Sequence, residues 1–494
     1  MSLELDLPSG WTRANLGDFI SFQNGYAFKS NTYIETGAFV IRIGNVQDGF
    51  ISLNNPAYID ESDSSAQAFK LRSGDILISL TGNVGRVAVI NQAHLPAVLN
   101  QRVARLLVDS SLVHSFIFNL MRSDVVQSAV LKMAKGAAQL NISTKDISDI
   151  SVQVPPLAEQ KVIADKLDTL LAQVESIKAR LECIPEILKQ LRQSVLAAAV
   201  SGKLTEGWRR INTNHVKQDV YSIDKYWENE YKKNNKKYKK IEYPKSGFDL
   251  SAFPDSWVKT NVGRIFDVYV GATPSRQRED FWNGEINWVS SSEVGFCRIQ
   301  STKENITDEG YKSTSTTIHP IGTVMLAMIG QGKTRGQAAI LDIEACHNQN
   351  TAALRVPEKI AKSEFLYFYL LYKYEETRQV GSGNNQQAMN KAIVQGLEFP
   401  LPPFEEQIEI VNKIESFFEY IERVEGQVQV ALNRVNNLTQ SILAKAFRGE
   451  LTVDWREANP ELISGDNSAE ALLGRIKVER ELAKPATKRG RGKA

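Results

Sequence analysis

The chain is written twice. Residues 193–209, QSVLAAAVSGKLTEGWR, return at 440–456 as QSILAKAFRGELTVDWR, with 10 of 17 positions identical at an offset of 247. VPPLAEQ (154–160) returns as LPPFEEQ (401–407), and Gly136 as Gly383, at the same offset. Upstream the offset drifts by one residue either way. Asn100-Gln101 answers to Asn348-Gln349, Gly74 to Gly322, Gly82 to Gly330 and Trp11 to Trp257. Each half thus runs through a variable block, a Pro-Pro step, a helical block and an ending that carries Gly, Leu-Thr and Trp-Arg. A repeat of this length means two copies of one architecture. The helical blocks are alike, whereas the blocks before them share only landmarks. One frame with two unlike inserts is what a protein needs to read two different things with one geometry. An old duplication without a bivalent role is the alternative.

The helical blocks carry heptads. Apolar residues fall at Ile163, Leu167, Leu170, Val174, Ile177, Leu181, Ile184, Leu188, Leu191 and Val195, in alternating steps of four and three. The second copy repeats the register at Ile410, Ile414, Phe417, Ile421, Val424, Val428, Ala431, Val435, Leu438 and Ile442. A pattern this long argues for a coiled-coil seam. Each buried Leu or Ile is worth roughly 1.5–3 kcal/mol, so neither stripe can stay in water. The simplest partner for each helix is the other, and a pseudo-twofold pair is antiparallel. Packing on the helices' own domains, or on a second protomer, remains the other reading. Pro155-Pro156 and Pro402-Pro403 mark the starts, with Glu159, Glu405 and Glu406 in the first turn. Gly202 and Gly449 suit left-handed C-caps, and Pro185 is expected to kink the first helix. From Ile163 to Val195 a helix rises about 50 Å. That exceeds one turn of duplex at about 3.4 Å per base pair. Such a rod suits a split target with an unread gap.

Residues 8–153 and 254–400 are rich in strand-like runs with glycine turns. DILISLTGNVGRVAVI (75–90) reads as strand, turn, strand, and TVMLAMIGQGKTRGQAAI (323–340) is its counterpart. Segments 115–134 and 363–380 read as helices. The expected fold class is α+β: two mixed α/β domains separated by two long antiparallel coiled-coil helices, with a pseudo-twofold internal repeat. The divisions read from the sequence are 1–154 (first domain), 155–205 (first helix), 206–252 (basic linker), 253–401 (second domain), 402–456 (second helix) and 457–494 (tail). A short amphipathic helix is expected near 469–482, before the basic end KPATKRGRGKA.

Composition narrows the function. The net charge of the 494-residue chain is +2. A protein clamping DNA alone is usually more basic, so partners are expected to supply part of the phosphate-neutralising surface. Three scattered cysteines form no disulfide framework and fit a reducing cytoplasm. No run is apolar and long enough to span a bilayer, and the start lacks the apolar core of a signal peptide.

Several strings approach catalysis and stop short. Gly332-Lys333-Thr334 lacks the upstream glycine of a phosphate loop, where Ala327 stands. LPPF (401–404) has Leu401 where amino-methyltransferases hold the target amine with a polar side chain. VGSGN (380–384) follows a helical segment rather than a strand. The five histidines show no metal spacing, and Cys346-His347 is an adjacent pair without partners.

Candidate DNA contacts are polar and basic turn residues, because Arg and Lys suit guanine edges and phosphates, and Asn and Gln suit adenine. In the first block they are Arg42, Asn45, Asn83, Arg86, Gln101 and Arg102. In the second they are Ser290, Ser292, Gln331, Lys333, Arg335 and Gln349. Two glycine-led loops, KGAAQLN (135–141) and GSGNNQQ (381–387), join them. The lysine run KKNNKKYKK (232–240) is read as a solvated linker that can also reach phosphates.

The frame, PPL-x-EQ, heptads and QS-I/V-L-x-x-A-x-x-G-x-LT-x-x-W-R, resembles the conserved regions of type I restriction–modification specificity subunits. The second copy and its tail, VNNLTQSILAKAFRGELT and NPELISGDNSAEALL, resemble the enterobacterial type IA branch. The resemblance implies two target recognition domains, each reading half of an asymmetric bipartite site. It implies helices that set the gap and dock two modification subunits, with two restriction subunits beyond them. It implies no catalytic site, metal or cofactor on this chain. S-adenosylmethionine for adenine methylation, ATP and magnesium belong to the partners. Glu159, Gln160, Trp208, Glu406, Gln407 and Trp455 match conserved-region positions, with docking or packing roles. A self-contained methyltransferase or nuclease and a scaffold that binds no DNA are the competing classes.

Overall fold

The structure is a computed structural model, and it describes residues 7–136, 139–213, 220–241, 253–330, 333–379 and 389–482. Two compact units emerge. One comprises Met1–Glu182 with Gln429–Ala494, the other Cys183–Val428. The division falls inside the long helices. Each unit therefore takes one variable block together with part of each helix.

The variable blocks share a topology. In the first unit a four-stranded antiparallel sheet has the order Ile20–Asn24, Val103–Val108, Ile76–Ser79, Val87–Val89. Beside it lies a three-stranded sheet, Tyr58–Ile59, Ala38–Ile41, Ala97–Leu99, whose last pair is parallel. The second unit repeats both. Its larger sheet runs Asp267–Val270, Thr351–Arg355, Val324–Ala327, Ala338–Leu341, with Cys297–Ile299 added in parallel. Its smaller sheet runs Glu304–Ile306, Trp282–Val289, Cys346–His347. Strands such as ILIS and VMLA are buried throughout, which is why they read as continuous apolar runs. The helical segments are each broken in two. His114–Arg122 and Asp124–Met133 meet at Ser123, whose hydroxyl bonds the Leu120 carbonyl at 2.6 Å. Ser363–Tyr372 and Tyr374–Gln379 meet at Lys373.

The first long helix spans Leu157–Val200, running through Pro185 without a break, and the second spans Phe404–Phe447. Within the first unit, Ile163, Ala164 and Leu167 share a core with Leu443, Ala446 and Phe447. Within the second, Val195, Leu196 and Ala199 share a core with Ile410, Val411 and Ile414. In each unit the start of one helix meets the end of the other, so the helices run antiparallel. Gly202 and Gly449 take the left-handed conformation at φ 77° and 75°.

The seam is narrower than the heptads suggest. Leu167, Val174, Leu188 and Val195 are buried, as are Ile414, Ile421, Val428 and Val435. Leu170, Leu181 and Val424 are half-buried. Ile177 and Phe417 are exposed, at 46% and 41%. Two helices alone cover one heptad position well, and the second lies at the edge of the contact.

Within the basic linker expected at 206–252, the described residues 220–241 are a packed part of the second unit. Val220–Lys233 is a helix, and Ile223 and Trp227 enter that unit's core. The Trp227 indole N–H donates to the Ile265 carbonyl at 2.8 Å. The tail holds the equivalent element. Ala469–Leu482 is helical, buries Leu472 and Ile476 in the first unit, and its Arg480 donates to the Gly17 carbonyl at 2.7 Å. Abundant lysine masked the short apolar spacing in 220–233.

Candidate nucleic-acid interface

The frame is fixed by a buried carboxylate in each unit. Glu159 accepts from the Trp11 indole N–H at 2.8 Å, from Thr452 Oγ1 at 2.6 Å and from Arg456. Glu406 repeats this with Trp257 at 3.0 Å, Thr205 at 2.7 Å and Arg209. Both carboxylates are fully buried, so their charge requires these donors. The neighbouring amides close the entry to each helix. Gln160 Nε2 donates to the Pro155 carbonyl, and Gln407 Nε2 to those of Pro402 and Ile360. Trp208 and Trp455 are half-buried, and their carbonyls accept from Asn212 and Asn459. All six frame residues thus have packing or hydrogen-bonding work inside a unit.

The same frame presents a rim of loops. In the first unit, strands Ile20–Asn24 and Ile76–Ser79 run the same way, each antiparallel to Val103–Val108. Their ends, and those of Ala38–Ile41 and Ala97–Leu99, meet at the turn Asn100-Gln101-Arg102. The Asn100 N–H donates to the Ile41 carbonyl at 3.3 Å and the Gln101 N–H to that of Tyr26 at 3.0 Å. The Leu80 N–H donates to the Arg102 carbonyl at 2.9 Å. The Gly82 N–H donates to the Leu140 carbonyl at 2.8 Å, which brings the loop of Lys135 and Asn141 to the same edge.

The second unit builds its rim alike. The Ala272 N–H donates to the His347 carbonyl and the Asn348 N–H to that of Val289, both at 3.0 Å. The Met328 N–H donates to the Asn350 carbonyl at 2.9 Å, and the Met389 N–H to that of Met328 at 3.2 Å. Two glycines make the approach possible. A Cβ on Gly25 would stand 2.3 Å from the Asn100 carbonyl oxygen, and one on Gly271 1.9 Å from that of His347. The pair sits at an offset of 246, within the drift of the repeat, and this match is the signal in the sequence that marks it.

The candidates divide by what their side chains already do. Gln101, Arg102 and Asn83 are exposed on the first rim. Arg42 lines an open cleft of about 670 Å³ with Gln101 and Arg102, but its guanidinium bonds the Asn55 carbonyl. Arg86 donates to Gln47 Oε1 at 2.5 Å. Asn45 is buried. Its amide accepts from the Arg42 N–H and donates to the Ser52 and Asn54 carbonyls, which makes it a turn-former with no free edge for a base. On the second rim Gln349 is exposed, with its Oε1 accepting from Thr273 Oγ1 at 2.5 Å. Ser290 caps a short turn by bonding Glu293 and Ser292. Ser292 and Lys333 are exposed, and Arg335 bonds the Arg378 carbonyl. Gln331 and the loop 381–387 lie outside the described residues.

Beside the smaller sheet of the second unit, Arg276 lies 3.8 Å from the Trp282 ring centre and pairs with Glu304, whose carboxyl this hydrogen bond holds below its usual range. Arg278 pairs with Asp280. His347 and His319 lie beneath, with ring centres 5.0 Å apart. Burial lowers them to about 4 and about 2, so they add no charge at neutral pH.

The two units thus carry rims of one backbone plan, with side chains that differ in part. The chain belongs to the type I restriction modification DNA specificity family, whose model matches residues 8–186 and again 254–434. It is 33% identical to the type I restriction enzyme EcoBI specificity subunit of Escherichia coli, over 96% of this chain and 94% of that one. It is 32% identical to the EcoKI specificity subunit of Escherichia coli strain K12, over 96% of each chain. The StySPI specificity subunit of Salmonella potsdam is 30% identical over 97% of each, and the chain fits this enterobacterial branch. Among solved structures, a chain from a study of complex assembly and conformational transition of the type I R-M system superposes with a TM-score of 0.61. It is 19% identical and covers 90% of this chain and 100% of its own. The HsdS subunit from Thermoanaerobacter tengcongensis gives 0.55 at 19% identity, over 91% and 99%. The chain is therefore a DNA-recognition subunit of a type I restriction–modification enzyme, not the subunit that does the chemistry. Among the described residues no helix is long and apolar enough to cross a membrane.

Proposed function

We propose that each rim reads one half of an asymmetric bipartite duplex target, and that the long helices set the unread gap and dock two modification subunits. Those subunits bring S-adenosylmethionine and methylate adenine, one on each strand. Two restriction subunits add ATP- and magnesium-dependent translocation and cleavage. No cofactor is assigned to this chain, and the assembly works in the cytoplasm. The observation that carries the reading is the repeated turn. Buried Asn100 and Asn348 hold the same loop junction, a glutamine follows in both units as Gln101 and Gln349, and the next side chain differs, Arg102 in one unit and Asn350 in the other. Backbone identity with side-chain difference is the pattern for two base sequences read in one docking geometry.

The test is single-molecule mapping of methylated adenines in a strain that carries this gene with its modification partner. A motif of two short, unlike halves with a fixed gap is expected. A single continuous site contradicts it. Methylation by the purified chain alone would favour a self-contained methyltransferase.

A further inference from the structure

Residues 232–240 carry six lysines and no acid. They are held against the second unit. Lys240 pairs with buried Asp224 at 2.8 Å, and Asp224 also pairs with Arg264 at 3.0 Å. The Tyr231 and Tyr238 rings stand 5.5 Å apart, and the Tyr231 hydroxyl donates to Asp267 at 2.9 Å. Lys233 pairs with Glu230. Lys232, Lys236, Lys237 and Lys239 remain, all exposed and without an ion pair among the described residues. The strap is continuous with the rim. Lys391 lines the same cleft as Lys237, Lys239 and Lys240. It lies two residues beyond Met389, which hydrogen-bonds Met328, itself bonded to the Asn350 carbonyl of the reading turn.

We propose that this lysine strap, continued by Lys391, grips duplex phosphates beside the half-site read by the second rim. The inference rests on the proposed DNA reading by that rim. Charge complementarity favours a nucleic-acid occupant. Arg276 and Arg278, beside the smaller sheet of this unit, are already paired with carboxylates, and the whole chain carries only +2. Sequence reading at the rim needs a phosphate-neutralising surface next to it, and a pre-positioned cluster supplies one without further ordering. The repeat adds support. The equivalent helix Ala469–Leu482 is likewise followed in the sequence by a basic stretch, KPATKRGRGKA.

The experiment uses the full chain assembled with its modification subunits, comparing wild type with a variant carrying Lys232→Gln, Lys236→Gln, Lys237→Gln and Lys239→Gln. Affinity for a target duplex and for a scrambled duplex is measured across salt concentrations. Both affinities should fall by the same factor. The slope of log affinity against log salt should shrink by about three to four, at roughly 0.9 per lost phosphate contact. The methylated motif should not change. An unchanged slope overturns the proposal, as does a loss confined to the target duplex. Failed assembly also overturns it, by placing a protein partner on the strap. If instead the rim reading is at fault, the wild-type complex binds both duplexes equally while the variant still loses salt dependence.

Discussion

The Trp11 indole N–H donates to the Glu159 carboxylate at 2.8 Å across 148 residues of chain. Trp257 and Glu406 make the same bond at 3.0 Å across 149. Each bond closes a variable block onto the helix that follows it, and so turns an insert into a domain of fixed orientation. Glu406→Ala removes a fully buried acceptor and leaves Arg209, Thr205 and Trp257 without it. Breaking such a pair costs about 3–5 kcal/mol. Denaturant unfolding should show a loss of that size, with Glu406→Gln losing less because it keeps an acceptor.

The seam separates two kinds of apolar residue. Val174→Asp and Val428→Asp place a charge where the side chain is buried, at 5% and 7% exposure. Each should cost about 2 kcal/mol or more of stability. Ile177→Asp alters an exposed position and should stay within about 0.5 kcal/mol. Loss of partner assembly in Ile177→Asp at full stability would then mark a partner-facing surface. Equal thermal destabilisation by all three would refute the narrow seam.

At the rims, Gln349→Ala should relax or change bases in one half of the methylated motif and leave the other half intact, with little change in melting. Asn45→Ala should do the reverse. It removes three turn hydrogen bonds, lowers stability by about 1–3 kcal/mol, and leaves the base preference unchanged wherever the enzyme still works. Motif mapping alongside melting distinguishes the two.

Gly271→Ala should impair the second half-site alone and Gly25→Ala the first, because each added Cβ meets a backbone carbonyl at the turn. The readout is the half of the motif that loses fidelity.

The second unit should weaken in mild acid. Burial lowers His347 from its ordinary 6.5 to about 4, so the unfolded chain binds its proton first as pH falls. Stability is complete above pH 6.5 and declines towards pH 4, by about 3 kcal/mol for this residue. Buried His319 acts in the same direction. Unfolding of the wild type and of His347→Asn across this window checks it. The variant should show the shallower decline.

Much of this was legible in the sequence because a repeat constrains everything aligned to it. The offset of 247 located the frame, the heptads located the helices, and Gly202 and Gly449 located their ends. The hairpins at 75–90 and 323–340 were visible because their strands are apolar throughout and their turns are marked by glycine. The helix at 220–233 was not, because Ile223 and Trp227 are two apolar anchors among lysines and acids, and their burial depends on a partner sheet far along the chain. The rim was legible only as a composition. Asn45 and Gln101 have equally good chemistry for a base edge, and only the fold shows that Asn45 has used its amide on its own turn. Apart from their match across the repeat, nothing in the sequence separates Gly25 and Gly271 from other loop glycines, because the carbonyls that require them lie far along the chain.

The most direct measurement is an exchange of residues 254–400 for the corresponding block of another specificity subunit, followed by mapping of methylated adenines. The account predicts a motif with one half replaced, the other half and the gap retained. A change in both halves, or in the gap, would show that the two rims do not read independently on a common frame.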